Sequence, residues 1–268
     1  MIRVYAPPPA ALEAFGITET PRRLEGGQGG TFRAGDVVLK PAEGPLSRWR
    51  SDVLSGLPGS PRFRVARPLR TRDGGWIAAG WEAMWAVAGV PAPHRPDPVI
   101  HAGMAFHQAI AALPRPPALE DRNDPWSYGD RLAWDEPVPT GATAPSALLA
   151  PLMAARRPVS SPSQLVHGDL LGNVLFAPGL PPAIIDWSPY WRPPAWAYAV
   201  AVVDALCWHG GRQELLVRYA DQPEWGQMLL RALIFRIATW DAAGWQAQPS
   251  SVYEPVAELT IAYASAHG

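Results

Sequence analysis

The sequence predicts an α+β chain in two lobes, a small antiparallel-sheet lobe followed by a larger and mainly helical one. Three observations carry that expectation. Apolar residues make up 48% of the 268 positions and charged residues only 18%, a balance that builds a packed core and is the reverse of a disordered composition. Strand-like runs broken by glycine fill the first third, whereas beyond Gly89 the apolar residues recur at helical spacing. The 32 prolines and 24 glycines are scattered without a period, which implies many turns and short elements and excludes a collagen-like or low-complexity chain.

Taken in order, Pro7 to Phe15 is a short helix with prolines at its start and Gly16 at its end. Strands follow from Arg22 to Lys40, interrupted by Gly26-Gly27-Gln28-Gly29-Gly30 and by a turn at Ala34-Gly35-Asp36. Four glycines in five residues between two strands let the backbone approach a ligand closely. Pro45 to Leu57 reads as a helix, and Phe63–Thr71 with Trp76–Trp81 as a hairpin around Asp73-Gly74-Gly75. Arg62, Arg64, Arg67, Arg70 and Arg72 read as a solvated strand edge. Residues 1–85 are thus expected to form the first lobe and 86–268 the second. In the latter, helices are expected at Val99–Leu113, Ser146–Arg156, Ala195–Trp208, Arg212–Tyr219, Trp225–Trp240 and Val252–Ala264. Three apolar bursts between them, Gln164–His167, Val174–Phe176 and Ala183–Asp186, read as strands. Residues 119–136 hold six carboxylates against two arginines; they read as a solvated insertion, or as a negative wall that recruits a cationic substrate.

Charge and cysteine usage exclude several functions. A net charge of −1 lacks the basic excess of a nucleic-acid binder. Cys207 is the single cysteine, so neither an intrachain disulfide nor a cysteine metal cluster can form; its apolar neighbours mark it as a buried thiol. The N-terminal residues have no signal-peptide core. The most apolar stretch, Trp196–Trp208, falls short of the ~20 residues that span a bilayer and contains Asp204. The expectation is a cytoplasmic protein without a membrane or nucleic-acid partner. Of the 23 basic residues, Lys40 alone is a lysine. In an arginine-rich chain that singularity points to a position where a compact ammonium is needed and a guanidinium fork does not fit.

The chemistry concentrates downstream. Leu165-Val166-His167-Gly168-Asp169-Leu170-Leu171-Gly172-Asn173-Val174-Leu175-Phe176 is a strand, a polar loop and a second strand, and Ala183-Ile184-Ile185-Asp186 is a strand ending on a carboxylate. A hairpin between the last two strands would bring Asp169, Asn173 and Asp186 to one edge. Two carboxylates and an amide oxygen are hard donors suited to Mg²⁺, which shares phosphate oxygens and keeps waters. With a glycine-rich hairpin and one lysine upstream, the parts for phosphoryl transfer stand in kinase order. A metallophosphoesterase would need an upstream Asp-x-His and downstream histidine ligands, which are absent.

On these motifs the chain, from Arg22 to about Trp208, resembles the aminoglycoside phosphotransferase family of the protein-kinase-like fold. More narrowly it is similar to an actinobacterial group sharing the run Ser188-Pro189-Tyr190-Trp191-Arg192-Pro193-Pro194. The resemblance implies a bilobal protein-kinase-like fold and an ATP- and Mg²⁺-dependent phosphotransferase acting on a hydroxyl of a small molecule, a cationic acceptor among the options. The alternative is a nucleotide-binding pseudokinase with a regulatory or scaffolding role. By resemblance, Gly26, Gly27, Gln28, Gly29 and Gly30 cover the ATP phosphates and Lys40 neutralises them. Asp169 orients or deprotonates the acceptor, Asn173 and Asp186 hold Mg²⁺, and the backbone of Trp81, Glu82, Ala83 and Met84 reads adenine. Asp52 is the expected carboxylate partner of Lys40, with Glu43 as runner-up.

The chain departs from the family pattern in three places. Asp169 and Asn173 are four residues apart where the family has five, a difference of up to ~3.5 Å of chain that Gly172 can absorb. Asp52 is one methylene shorter than the family's glutamate. Ala197 stands where the family has an aspartate, and Asp204 follows two helical turns later. His167 is expected to bond the loop backbone, and His101 and His107 read as core or surface residues. Trp187, Trp191 and Trp196 read as packing, with Trp187 and Tyr190 the residues able to line an acceptor pocket.

Overall fold

The computed structural model describes residues 6–25, 29–138, 146–245 and 250–267. In chain order the elements are α1 (Pro9–Phe15), β1 (Arg22–Arg23), β2 (Phe32–Ala34), β3 (Val37–Pro41), α2 (Pro45–Gly56), β4 (Arg64–Val65), β5 (Ile77–Ala78), β6 (Trp81–Trp85) and β7 (Val90–Pro91). They continue through α3 (Pro96–Ile110), a 3₁₀ turn at Pro117–Leu119, α4 (Pro125–Ala133), α5 (Leu149–Ala154), β8 (Gln164–His167), β9 (Val174–Phe176), β10 (Ala183–Ile184) and β11 (Pro189–Arg192). Helices α6 (Pro194–Trp208), α7 (Leu215–Arg218), α8 (Trp225–Ala243) and α9 (Ser250–His267) complete it. Two units result: Met1–Val90 with Leu175–Asp186, and Pro91–Val174 with Trp187–Gly268. The first therefore takes in a late segment, 175–186, that the sequence places in the second lobe. It does so because Ala183 and Ile184 pair in parallel with Arg64 and Val65, a non-local pairing that carries no local sequence signal.

In the first unit the antiparallel sheet runs in the order β1-β2-β3-β6-β5. Alternation of side chains along a strand sends Val37 and Leu39 of β3 with Trp81 and Ala83 of β6 into a core shared with Ala11, Phe15, Ile17, Phe32 and Ala34. Phe32 meets Trp81 edge to face at 5.8 Å. The same alternation puts Lys40 and Glu82, which are register partners, on the opposite face. The hairpin at 76–81 differs from the expected one. Strands β5 and β6 pair Ala78 with Trp81 across Ala79-Gly80, both at positive φ (47° and 79°), as a twisted two-residue hairpin demands. Asp73-Gly74 closes only a tight turn, with the Thr71 and Gly75 backbones bonded at 2.9 Å.

Of the arginines of 62–72, Arg62, Arg70 and Arg72 are exposed as a solvated edge would be, whereas Arg64 and Arg67 are half-buried. Arg67 donates to the carbonyls of Leu54, Ser55 and Leu57, satisfying the C-terminal carbonyls that α2 cannot bond internally. Arg64 donates to Pro181 O and Ala88 O at 2.9 Å, and Arg70 donates to Gly74 O while lying over the Trp76 ring.

The second unit is built around α6 and α8. Along α6 every residue from Ala195 to Ala205 is buried, as expected of a helix that is apolar all round. The segment 119–136 is no loose insertion. Asp124 caps α4, its Oδ1 accepting from the Ser127 backbone at 2.9 Å, with the Ser127 hydroxyl closing the capping box. Nor is it a bare negative wall, because five of its six acids meet arginines. Arg192 grips Asp130 with two nitrogens (2.8 and 2.9 Å) and Glu136 with the third (2.6 Å), Arg122 holds Asp124, and Arg156 holds Asp135. Strand β11, which the apolar pattern does not announce, pairs antiparallel with β8, Pro189 opposite His167. Among the described residues no helix is long and apolar enough to cross a membrane.

Candidate active site

Lys40 leaves the core face of β3 because Val37 and Leu39 occupy it. Its ammonium lies 3.3 Å from Glu82 Oε1 and in close contact with Asp186 Oδ1. Glu82 is buried, and its Oε1 also accepts from Arg50 Nη2 at 2.6 Å. Arg50 sits on the buried face of α2 and binds Glu43 at 3.1 Å. The cationic partner therefore comes from the helix and the carboxylate from the sheet, the reverse of the expected arrangement. Asp52 does not meet Lys40; it lies exposed and accepts from Trp76 Nε1 at 2.7 Å. Glu43 serves Arg50. Burial lowers the Arg50 pKa, but Glu82, Glu43 and Asp186 together outweigh it and hold the guanidinium above its usual value.

Asp186 follows β10 at φ +46°, a left-handed conformation that aspartate tolerates better than bulkier residues. Its side chain is 55% exposed, so carboxylate oxygen is presented to solvent beside the Lys40 ammonium.

Strand β6, whose backbone is expected to read adenine, lies between β3 and β5. Trp81 and Glu82 pair with both neighbours, and Ala83 O accepts from Leu69 N at 2.8 Å. Of the glycine-rich loop, Gly26, Gly27 and Gln28 lie outside the described residues. Gly29 has φ +70°, and its carbonyl accepts from Arg23 Nε at 2.7 Å; Gly30 follows it half-buried.

In the second unit the loop after β8 is held from behind. His107 of α3 is buried, and its Nε2 accepts from His167 N–H at 2.9 Å while its ring stacks on Tyr198. Burial, with His167 adding to it, pushes the His107 pKa down to about 3, so the ring is neutral and stays an acceptor. His167 Nδ1 accepts from Asp169 N–H at 3.2 Å, the backbone role expected of it. Gly168 is required by close approach: a Cβ there would lie 2.4 Å from the Tyr190 ring. Tyr190 and Trp187 are both buried, with Trp187 Nε1 donating to Val166 O; Trp187 packs the loop, whereas Tyr190 also lines a cavity with Arg122, Asp130, Glu136 and Arg192.

Gly172 takes φ +91° and turns the short loop back. Asn173 Nδ2 then reaches Asp169 O at 2.7 Å and Asp169 Oδ2 at 3.0 Å. With its nitrogen committed, the Asn173 amide has its oxygen left as a metal donor. That oxygen in the second unit, and the exposed carboxylate of Asp186 in the first, are each donors of the hard type. Among the described residues there is no group of three or more His, Cys, Asp or Glu side chains able to hold a metal by themselves.

Arg236 escaped the sequence reading. From α8 it donates to both oxygens of Asp204 on α6 (2.8 and 2.5 Å), and its Nη2 also donates to Asp169 Oδ1 at 2.6 Å. Burial raises the Asp204 pKa against the pull of Arg236, while the two carboxylates carry the Arg236 pKa well above its ordinary value. The signal was present as Asp204, the one charge of α6, and as Arg236 within an apolar stretch of α8. Cys207 nearby is an inert thiol, pushed up to about 12 by burial.

No family model matches the chain, and no curated protein matches its sequence. Solved structures do. A thermostable mutant of aminoglycoside phosphotransferase APH(4)-Ia gives a TM-score of 0.59 at 15% identity, covering 95% of this chain and 97% of that one. Another structure of this APH(4)-Ia mutant is a ternary complex with ADP and hygromycin B. The microcompartment-associated aminopropanol kinase gives 0.59 at 16% identity, with coverages of 96% and 93%. An aminoglycoside phosphotransferase from Alicyclobacillus acidocaldarius gives 0.56 at 16%, with coverages of 99% and 97%. At these identities the likeness establishes architecture: the chain has the fold of the aminoglycoside phosphotransferases and related small-molecule kinases.

Proposed function

We propose that this protein is an ATP- and Mg²⁺-dependent phosphotransferase that moves a phosphoryl group to a hydroxyl of a small molecule. The observation that carries the proposal is the treatment of Lys40, the chain's single lysine, whose ammonium is held between buried Glu82 and exposed Asp186. A cation fixed on a sheet next to an exposed carboxylate is what a nucleotide phosphate and its metal require. In this reading Lys40 neutralises the phosphates, and Asn173 Oδ1 and Asp186 hold Mg²⁺. The metal supplies charge neutralisation of the transferring phosphoryl. Asp169 orients the acceptor hydroxyl, and Gly26–Gly30 cover the nucleotide. The ADP and hygromycin B bound by the APH(4)-Ia relative support a nucleotide with a small hydroxylated acceptor. Five of the six acids of 119–136 already meet arginines, which weakens the case for a cationic acceptor drawn by that segment.

A second reading, nucleotide binding without turnover, draws on one observation: both carboxylate oxygens of Asp169 are already hydrogen-bonded, to Arg236 and Asn173.

The test is calorimetry of ATP binding with and without Mg²⁺, on the native chain, Lys40→Ala and Asp186→Ala, followed by a screen of alcohols for phosphate transfer. Binding weakened by Lys40→Ala, and no longer Mg²⁺-dependent in Asp186→Ala, is the expected result. Binding unchanged in both variants refutes the site. Mg²⁺-independent binding with no transfer favours the second reading.

A further inference from the structure

We propose that Arg236 is a positioning residue for the candidate catalytic carboxylate: anchored on Asp204, its guanidinium fixes Asp169 so that Oδ2 faces the acceptor hydroxyl. The proposal rests on the phosphotransferase reading above.

Arg236 lies in the apolar run Leu233-Ile234-Phe235-Arg236-Ile237-Ala238 of α8, and its side chain is 13% exposed. A cation there must be paired, because leaving a buried charge alone costs several kcal/mol. Asp204, at 10% exposure, already does this with a two-nitrogen grip. Structural neutrality needs no more. The guanidinium nevertheless extends Nη2 to Asp169, whose side chain is 41% exposed, giving Asp204–Arg236–Asp169 one net negative charge with its open end on Asp169. Around the guanidinium stand Asp204 and Cys207 from α6, Asp169 from the loop, Tyr253 from α9 and the Phe235 ring.

The geometry divides the labour between the two oxygens of Asp169. Oδ1 takes the short charge-assisted bond from Arg236, while Oδ2 takes one amide bond from Asn173 and keeps a second lone pair. Held in this way, Asp169 orients a hydroxyl by accepting its hydrogen bond. That suffices for a transfer whose catalysis lies in alignment and charge neutralisation. The planar fork matters: a lysine ammonium is a point charge and cannot hold Asp204 with two nitrogens while reaching Asp169.

The test uses the full chain and the variants Arg236→Gln, Arg236→Lys and Asp204→Asn/Arg236→Gln. It measures MgATP affinity by calorimetry, kcat and KM for phosphoryl transfer to water or to the acceptor found in the screen, and thermal stability. Arg236→Gln is expected to leave MgATP affinity and KM within about twofold and to lower kcat by ~100-fold, the scale of an ångström-sized misplacement. Arg236→Lys should recover part of kcat. Should Arg236→Gln fail to fold because Asp204 is left unpaired, the double variant removes both buried charges, and its kcat is expected to be as low. Turnover in folded Arg236→Gln or in the double variant within about threefold of the native chain, or above it, overturns the positioning role alone. A native chain that neither binds nor turns over MgATP refutes the phosphotransferase reading and takes this role with it.

Discussion

Glu82 is the residue on which the first unit's charged cluster turns, and Glu82→Gln is its sharpest test. Its carboxylate is 4% exposed and sits between Arg50 (2.6 Å, side chain 5% exposed) and Lys40 (3.3 Å, 15% exposed). Removing the charge while keeping the shape leaves two cations facing a neutral amide. Breaking a buried ion pair from one side costs ~3–5 kcal/mol. The lower end applies here, because Asp186 remains on Lys40 and Glu43 on Arg50. A loss of about 3 kcal/mol corresponds to a fall of roughly 6–12 °C in melting temperature for a chain of this size. The assay is urea and thermal unfolding of the native chain, Glu82→Gln, Glu82→Met, Arg50→Met and the double variant Glu82→Met/Arg50→Met. The double variant removes the opposed charges together and should be more stable than the sum of its single changes predicts, by at least ~1 kcal/mol. Strict additivity, or a Glu82→Gln loss below about 1 kcal/mol, would refute the claim that this carboxylate holds the two cations. In a folded Glu82→Gln protein, MgATP affinity should also fall, because Lys40 has lost its buried anchor.

Three further outcomes follow from the same geometry. Asp52→Ala breaks only a part-buried contact with Trp76, away from Lys40, so nucleotide affinity should stay within about twofold; a tenfold loss in calorimetry would return Asp52 to the nucleotide site. Gly168→Ala places a methyl 2.4 Å from the buried Tyr190 ring and should cost ~1–3 kcal/mol; an unchanged melting temperature contradicts that packing. His107 makes stability depend on acidity. Below its ordinary pKa of 6.5 the unfolded chain takes up a proton that the buried ring refuses down to about 3. The unfolded state therefore binds more protons, and stability falls as pH drops through that window, by up to ~1.4 kcal/mol per unit. His107→Gln should flatten the slope in urea titrations between pH 7 and 5, and an identical slope would assign the loss to other groups.

Much of this molecule was legible in its residues taken in order. Alternation in Val37-Val38-Leu39-Lys40 put the lysine on the face opposite the core. The strand–loop–strand run 165–176 stands in the expected place, and a strand at Ala183–Ile184 stops two residues short of Asp186, because such signals are local and repeat at the period of the element that makes them. The same local reading brought Asn173 to Asp169, since Gly172 lets four residues close that loop. Which groups pair across the fold is a different kind of fact. That Lys40 takes Glu82 from the neighbouring strand and not Asp52 from α2, that Arg50 comes from that helix in its place, and that β10 crosses 117 residues to lie beside β4 follow from register and packing. Arg236 makes the division plainest. Its chemistry was visible as a charge within an apolar stretch of α8, and that of Asp204 as the lone charge of α6. Only the packing of α6 against α8 brought the two within hydrogen-bond distance, and only the turn of the loop added Asp169. Periodicity determines which way a side chain faces, whereas the partner of a buried charge is chosen by whatever tertiary packing places within a few ångströms of it.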